Sequence, residues 1–150
     1  MESKCAMLIV LLSATWVYAW NEPTGFGGVP WGATPEVIKK VIPNIRCSPA
    51  TKDSYASCTG KLTIEEVETE VNMTLPTGMG GMHSVLLRFA STNYERMKDI
   101  FIRRYGQPTI DFKGMLMWQG NSVVITITPA KQGSDKAGAT LITKAYMNTQ

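Results

Sequence analysis

The chain has 150 residues, a formal net charge of +3, 44% apolar residues and 18% charged residues. That balance belongs to a globular chain long enough to bury one core, and it excludes disordered and collagen-like classes. The charge is small and mixed in sign, so no nucleic-acid partner is expected. One His and three Cys leave little for catalysis or for a zinc site.

Residues 1–19 read as a secretory signal peptide. Lys4 supplies a short basic start, and residues 5–16 (CAMLIVLLSATW) form an apolar stretch. The stretch is shorter than the ~20 apolar residues of a transmembrane helix. Val17-Tyr18-Ala19 has the small or tolerated residues of a cleavage site, so cleavage after Ala19 is expected. An uncleaved N-terminal anchor is the competing reading. Residues 20–150 then form a single α+β domain with no membrane span. Loss of Cys5 leaves Cys47 and Cys58, and an even pair in an exported chain reads as a disulfide.

Residues 21–32 (NEPTGFGGVPWG) predict an extended lead-in that Phe26, Val29 and Trp31 pin to the core. Thr34-Pro35-Glu36 is a helix start. Thr34 can cap, Pro35 suits the first helical position, and Glu36 complements the helix dipole. Val37, Ile38, Val41 and Ile42 repeat at helical spacing until Pro43 stops the helix. Between Lys61 and Leu75, the set Val67, Thr69, Val71, Met73 and Leu75 alternates with Glu66, Glu68, Glu70, Asn72 and Thr74. This predicts a strand with one acidic face. Leu62 and Ile64 are out of phase with Val67, which predicts a bulge near Glu65. A helix opened by a capping box over Thr63–Glu66 is the alternative. A flexible connection over 76–82 leads to a second strand over 83–90.

Thr92 and Glu95 predict a capping box before a second helix. Tyr94, Met97, Phe101 and Tyr105 share its apolar face, with Ile100 at the margin, and Gly106 and Pro108 end it. Arg96, Lys98, Arg103 and Arg104 read as its solvated side. A short strand follows over 109–112. Residues 115–119 and 122–128 predict a hairpin across Gly120-Asn121. Pairing Trp118 with Val123 puts Leu116, Trp118, Val123, Ile125 and Ile127 on a core face. Met115, Met117, Val124, Thr126 and Thr128 then share a half-exposed face. Residues 131–138 read as a polar loop and 139–147 as a last strand. The expected fold is α+β: an antiparallel twisted sheet with two helices packed on one face.

Two segments look familiar. Residues 28–37 (GVPWGATPEV) resemble the opening of many small exported bacterial proteins of unknown function, and residues 104–109 (RYGQPT) resemble the end of their main helix. The order of helix then strands is also similar to the layout of β-lactamase-inhibitor-protein-like domains and of small outer-membrane assembly lipoproteins. The resemblance implies a bacterial envelope protein that works by contact with another protein.

Candidates for chemistry are few. Met79 and Met82 place two thioethers beside the only His, His83, and Met115 and Met117 put two more on one strand face. Met and His suit Cu(I), and periplasmic Cu(I)-binding proteins are similar in using Met-x-Met with a His and a Trp. Core filling by Met competes with that reading. Glu65, Glu66, Glu68 and Glu70 could offer paired carboxylates, although like charges along a strand also make a solvated edge that resists aggregation. His83 has no adjoining Ser or Cys nucleophile. The first reading is therefore an exported, non-enzymatic binding protein, without a cofactor, whose partner is another envelope protein. Its contact surface is the face carrying Met115, Met117 and Val124. A periplasmic Cu(I)-binding protein and a small hydrolase are the alternatives.

Overall fold

Apolar side chains recur at every second position through much of the chain, the period of a half-buried strand. A computed structural model describes residues 20–150. The signal-peptide reading of residues 1–19 lies outside them. The elements are β1 (Gly25–Phe26), β2 (Val29–Pro30), α1 (Pro35–Val41), β3 (Arg46–Ser48), β4 (Ala56–Ile64), β5 (Val67–Leu75), β6 (Ser84–Ala90), α2 (Tyr94–Tyr105), β7 (Ile110–Phe112), β8 (Met115–Gln119), β9 (Val123–Thr128), β10 (Lys136–Thr143) and α3 (Lys144–Met147). The architecture is α+β. Strands β1 and β2 make a small hairpin, and the other eight form one antiparallel sheet in the order β3-β4-β5-β6-β10-β9-β8-β7.

Alternation sorts the sheet into two faces. On the inner face, Val67, Val71, Met73 and Leu75 of β5 meet Val85, Leu87 and Phe89 of β6, then Ala137, Ala139 and Leu141 of β10. Val123, Ile125 and Ile127 of β9 and Leu116 and Trp118 of β8 continue the same face. Ile38 of α1 and Tyr94, Met97, Ile100, Phe101 and Tyr105 of α2 join this core. Phe26 and Val29 are buried in it, as the lead-in predicts, and the Trp31 indole donates to the Pro23 carbonyl at 2.9 Å. Thr34 caps α1, accepting from the Val37 N–H at 3.5 Å.

Several expectations need correction. The stretch 61–75 is two strands, not one bulged strand. Glu65 and Glu66 have φ of 43° and 71° and form a two-residue hairpin turn, with Ile64 opposite Val67. Two successive left-handed residues make the turn whose twist suits a hairpin, but they are ordinarily Asn or Gly. Here exposed ion pairs from α2 close over the turn. Arg96 reaches Glu66 at 2.7 Å, while Arg103 and Arg104 reach Glu65 at 2.9 and 3.3 Å. The basic side of α2 is thus a clamp on this hairpin. Helix α2 itself begins after a 3-10 turn over Ser91–Asn93, without a side-chain cap, and Glu95 pairs with Lys98 in place of closing a capping box. The last strand starts at Lys136 and ends at Thr143, whose hydroxyl accepts from the Tyr146 N–H and starts α3.

The Glu65 carboxyl is held below its ordinary range by the hydrogen bond from Arg103, with the charges of Arg103 and Arg104 adding to it. A depressed carboxyl contributes stability above its unfolded pKa and loses it as pH falls through the folded one. We therefore expect an NMR titration of Glu65 with a lowered midpoint that Arg103→Gln moves back up. A midpoint that does not respond to Arg103→Gln would disprove the clamp. Burial pushes the phenol of Tyr94 up to about 12, with Glu95 and Asp111 adding. It therefore stays a donor, bonded to the Gly114 carbonyl in the turn after β7.

The register of the β8–β9 hairpin is also corrected. Trp118 pairs with Ile125, two residues from the expected Val123, and residues 120–122 form the connection. A slip of two preserves the faces, because side chains alternate with period two. The connection is closed by a bond from the Gly120 N–H to the Val123 carbonyl at 2.9 Å, and Glu22 binds its backbone. Its carboxylate accepts from the backbone N–H groups of Asn121, Ser122 and Val123 at 3.2, 2.5 and 2.6 Å. Gly120 lies against Trp20 and Glu22, where a Cβ would clash with both.

Candidate functional site: the outer face of the sheet

The outer face carries two different surfaces. Beside the β7 edge it is apolar. Ile110 pairs with Met117 and Phe112 with Met115, so these four side chains share the outer face. Phe112 is 59% exposed and Ile110 38%, and Met115 and Met117 are half-buried. Thr126 and Thr140 continue the row from Met117 to Leu86 of β6. Val124 departs from expectation. It faces outward but is only 8% exposed, standing between Gln119 and Ile142 in the register of a central strand.

Beside the β3 edge the same face is polar. A depression of about 900 Å³ is lined by Pro43, Asn44, Arg46, Thr59, Lys61, Glu70, Asn72, Leu86 and Arg88, with backbone of Gly60 and Val71 below. Asn44 at its rim has φ of 64°, a left-handed conformation that Asn tolerates better than most residues. Lys61 is paired with Glu68 at 3.1 Å and Glu70 with Lys136 at 3.3 Å. Arg46 and Arg88 belong to no common sequence motif, since 42 positions separate them. Only the β3-β4-β5-β6 meander brings them to one face.

The soft-metal candidates fall into two separate groups, with Met79 beside His83 and with Met115 and Met117 elsewhere on the sheet. Met82 is fully buried in the core. His83 has both ring nitrogens engaged, Nδ1 with the Thr143 hydroxyl at 2.9 Å and Nε2 with the Met79 carbonyl at 3.1 Å. Met115 and Met117 lie on β8, three strands from β6, or about 14 Å at the usual strand spacing. Among the described residues, no three His, Cys, Asp or Glu side chains cluster as metal ligands. The four glutamates are dispersed into ion pairs with Lys61, Lys136 and the arginines of α2.

Cys47 and Cys58 are joined by a disulfide between directly opposed positions of β3 and β4. Among the described residues, no helix is long and apolar enough to cross a membrane. Comparison with protein families, curated proteins and solved structures finds no match to this chain.

Proposed function

We propose that this chain is an exported, non-enzymatic binding protein that meets another envelope protein through the outer face of its sheet. Support comes from the apolar stripe of Ile110, Phe112, Met115 and Met117 at the β7 edge, where a large aromatic ring stays more than half exposed. Contiguous exposed apolar surface marks contact sites, and Met side chains adapt to a partner's shape. The buried residues of α1 and α2 belong to the same core as the inner-face side chains, which favours the outer face as the side for a partner. The Cys47–Cys58 bond suits an oxidising compartment, in keeping with residues 1–19 as a signal peptide and with the resemblance to small exported bacterial proteins. Hydrogen bonds at both nitrogens of His83, and ion pairs at the glutamates, favour binding over hydrolysis or Cu(I) capture.

The test is a double substitution, Met115→Ser with Met117→Ser, in cross-linked pull-downs from envelope extract. The expected result is loss of the captured protein while folding stability changes by less than about 1 kcal/mol, the usual range for surface positions. Undiminished capture by a folded double variant would remove the stripe from the contact.

A further inference from the structure

The polar half of the outer face has a distinctive charge arrangement. The chain has five arginines. Three of them, Arg96, Arg103 and Arg104, sit on α2 and pair with Glu65 and Glu66. The other two, Arg46 and Arg88, both line the depression, and neither makes an ion pair among the described residues. The other charges there are satisfied, Lys61 by Glu68 and Glu70 by Lys136. Two exposed guanidiniums therefore face one basin, and its one lining carboxylate, Glu70, stands opposite Arg88 in the register but is bonded to Lys136 at 3.3 Å.

Their spacing selects the ligand. Arg46 on β3 and Arg88 on β6 are three strands apart and one alternation apart along the strands. That places the two Cα atoms roughly 16 Å apart at ordinary sheet spacings. A lone carboxylate or phosphate engages one guanidinium. A peptide with carboxylates several residues apart engages both, each through the two-bond fork that Arg offers. Between them, Thr59 and Asn72 stand side by side on the outer face and present a hydroxyl and an amide to a peptide backbone. Leu86, also at the basin, leads into the row that ends at Met117 and Ile110.

We propose that the basin receives an extended acidic peptide segment of the protein partner, with two of its carboxylates seated on Arg46 and Arg88. This rests on the reading of the outer face as a partner surface. It makes the partner's contact segment acidic at one end and apolar at the other.

The experiment is a fluorescence-anisotropy titration of the full, disulfide-bonded chain with a dye-labelled oligoglutamate at low salt. Saturable binding is expected, weakened by added salt. Arg46→Gln and Arg88→Gln should each weaken it roughly tenfold. Both residues are exposed, so unchanged melting temperatures check the fold. Lys39→Gln with Lys40→Gln, on exposed positions of α1, should bind as the parent does. An equal loss in that lysine variant, wild-type binding by both arginine variants, or no saturable binding overturns the proposal. So does displacement by inorganic phosphate at the peptide's own concentration, which would mean a small-anion site. Partner capture that needs Met115 and Met117 but neither arginine removes the basin and keeps the partner surface. Oligoglutamate binding that needs both arginines, beside capture indifferent to the Met pair, does the reverse.

Discussion

Trp118→Ala should destabilise the protein by about 3–5 kcal/mol, the range for truncating a buried Trp or Phe. The indole is fully buried between β8 and α2. Its ring centre lies 6.1 Å from that of Phe101 and 6.5 Å from that of Tyr105, and Nε1 donates to the Gly106 carbonyl at 2.8 Å. Alanine removes the ring contacts that tie the sheet to the helix and leaves the carbonyl at the end of α2 without its donor. Trp118→Phe keeps most of the apolar volume and loses the donor with part of the ring, so it should cost less, about 1–3 kcal/mol. Urea denaturation curves measure both. The contrast is with Met115→Ser and Met117→Ser on the opposite face of the same strand. A large loss for the methionines and almost none for Trp118 would mean that the two faces are exchanged.

Face parity was the most legible property of this chain. Trp118 was expected opposite Val123 and stands opposite Ile125, yet every side chain of the hairpin keeps its side, because an even slip cannot invert alternation. The shifted turn is bound by Glu22, about a hundred residues away, and no local pattern announces those three bonds. The turn at Glu65-Glu66 was hidden for a related reason. Glutamate is a poor residue for a left-handed turn, and the arginines that hold it there come from a helix some thirty to forty residues later. Strand β4 was partly missed because its outer half, Ala56 to Gly60, is small and polar, and it becomes a strand only by pairing with β5. The candidate surface was half legible. Alternation identified Met115 and Met117 as outward. The basin of Arg46 and Arg88 arises from topology alone, four strands meandering so that distant positions share one face. Its lining residues belong to no motif.

Reducing the Cys47–Cys58 bond should lower stability by roughly 3 kcal/mol, the chain-entropy value for a loop of this length. For a domain of this size that corresponds to a fall in melting temperature of about 6–12 °C. The position of the bond explains why the effect should appear as a local loss. Strand β3 has only three residues and is the edge of the sheet, paired on one side to β4. A strand that short gains little from its own ladder, and Cys47 is its central residue, directly opposite Cys58. Without the bond, β3 should open first, and Arg46 should leave the basin with it. Two measurements check this together. Calorimetry with and without reductant gives the global loss, and the variant with Cys47→Ala and Cys58→Ala should be insensitive to reductant. Hydrogen exchange should show the loss of protection concentrated in β3 and the outer half of β4, with β8 and β9 unchanged at temperatures below unfolding. An unchanged melting temperature in a sample shown by mass to hold two free thiols would mean that β3 is held by packing of Ile45 and Cys58 alone. In that case the bond would have no part in keeping Arg46 on the face that carries Arg88.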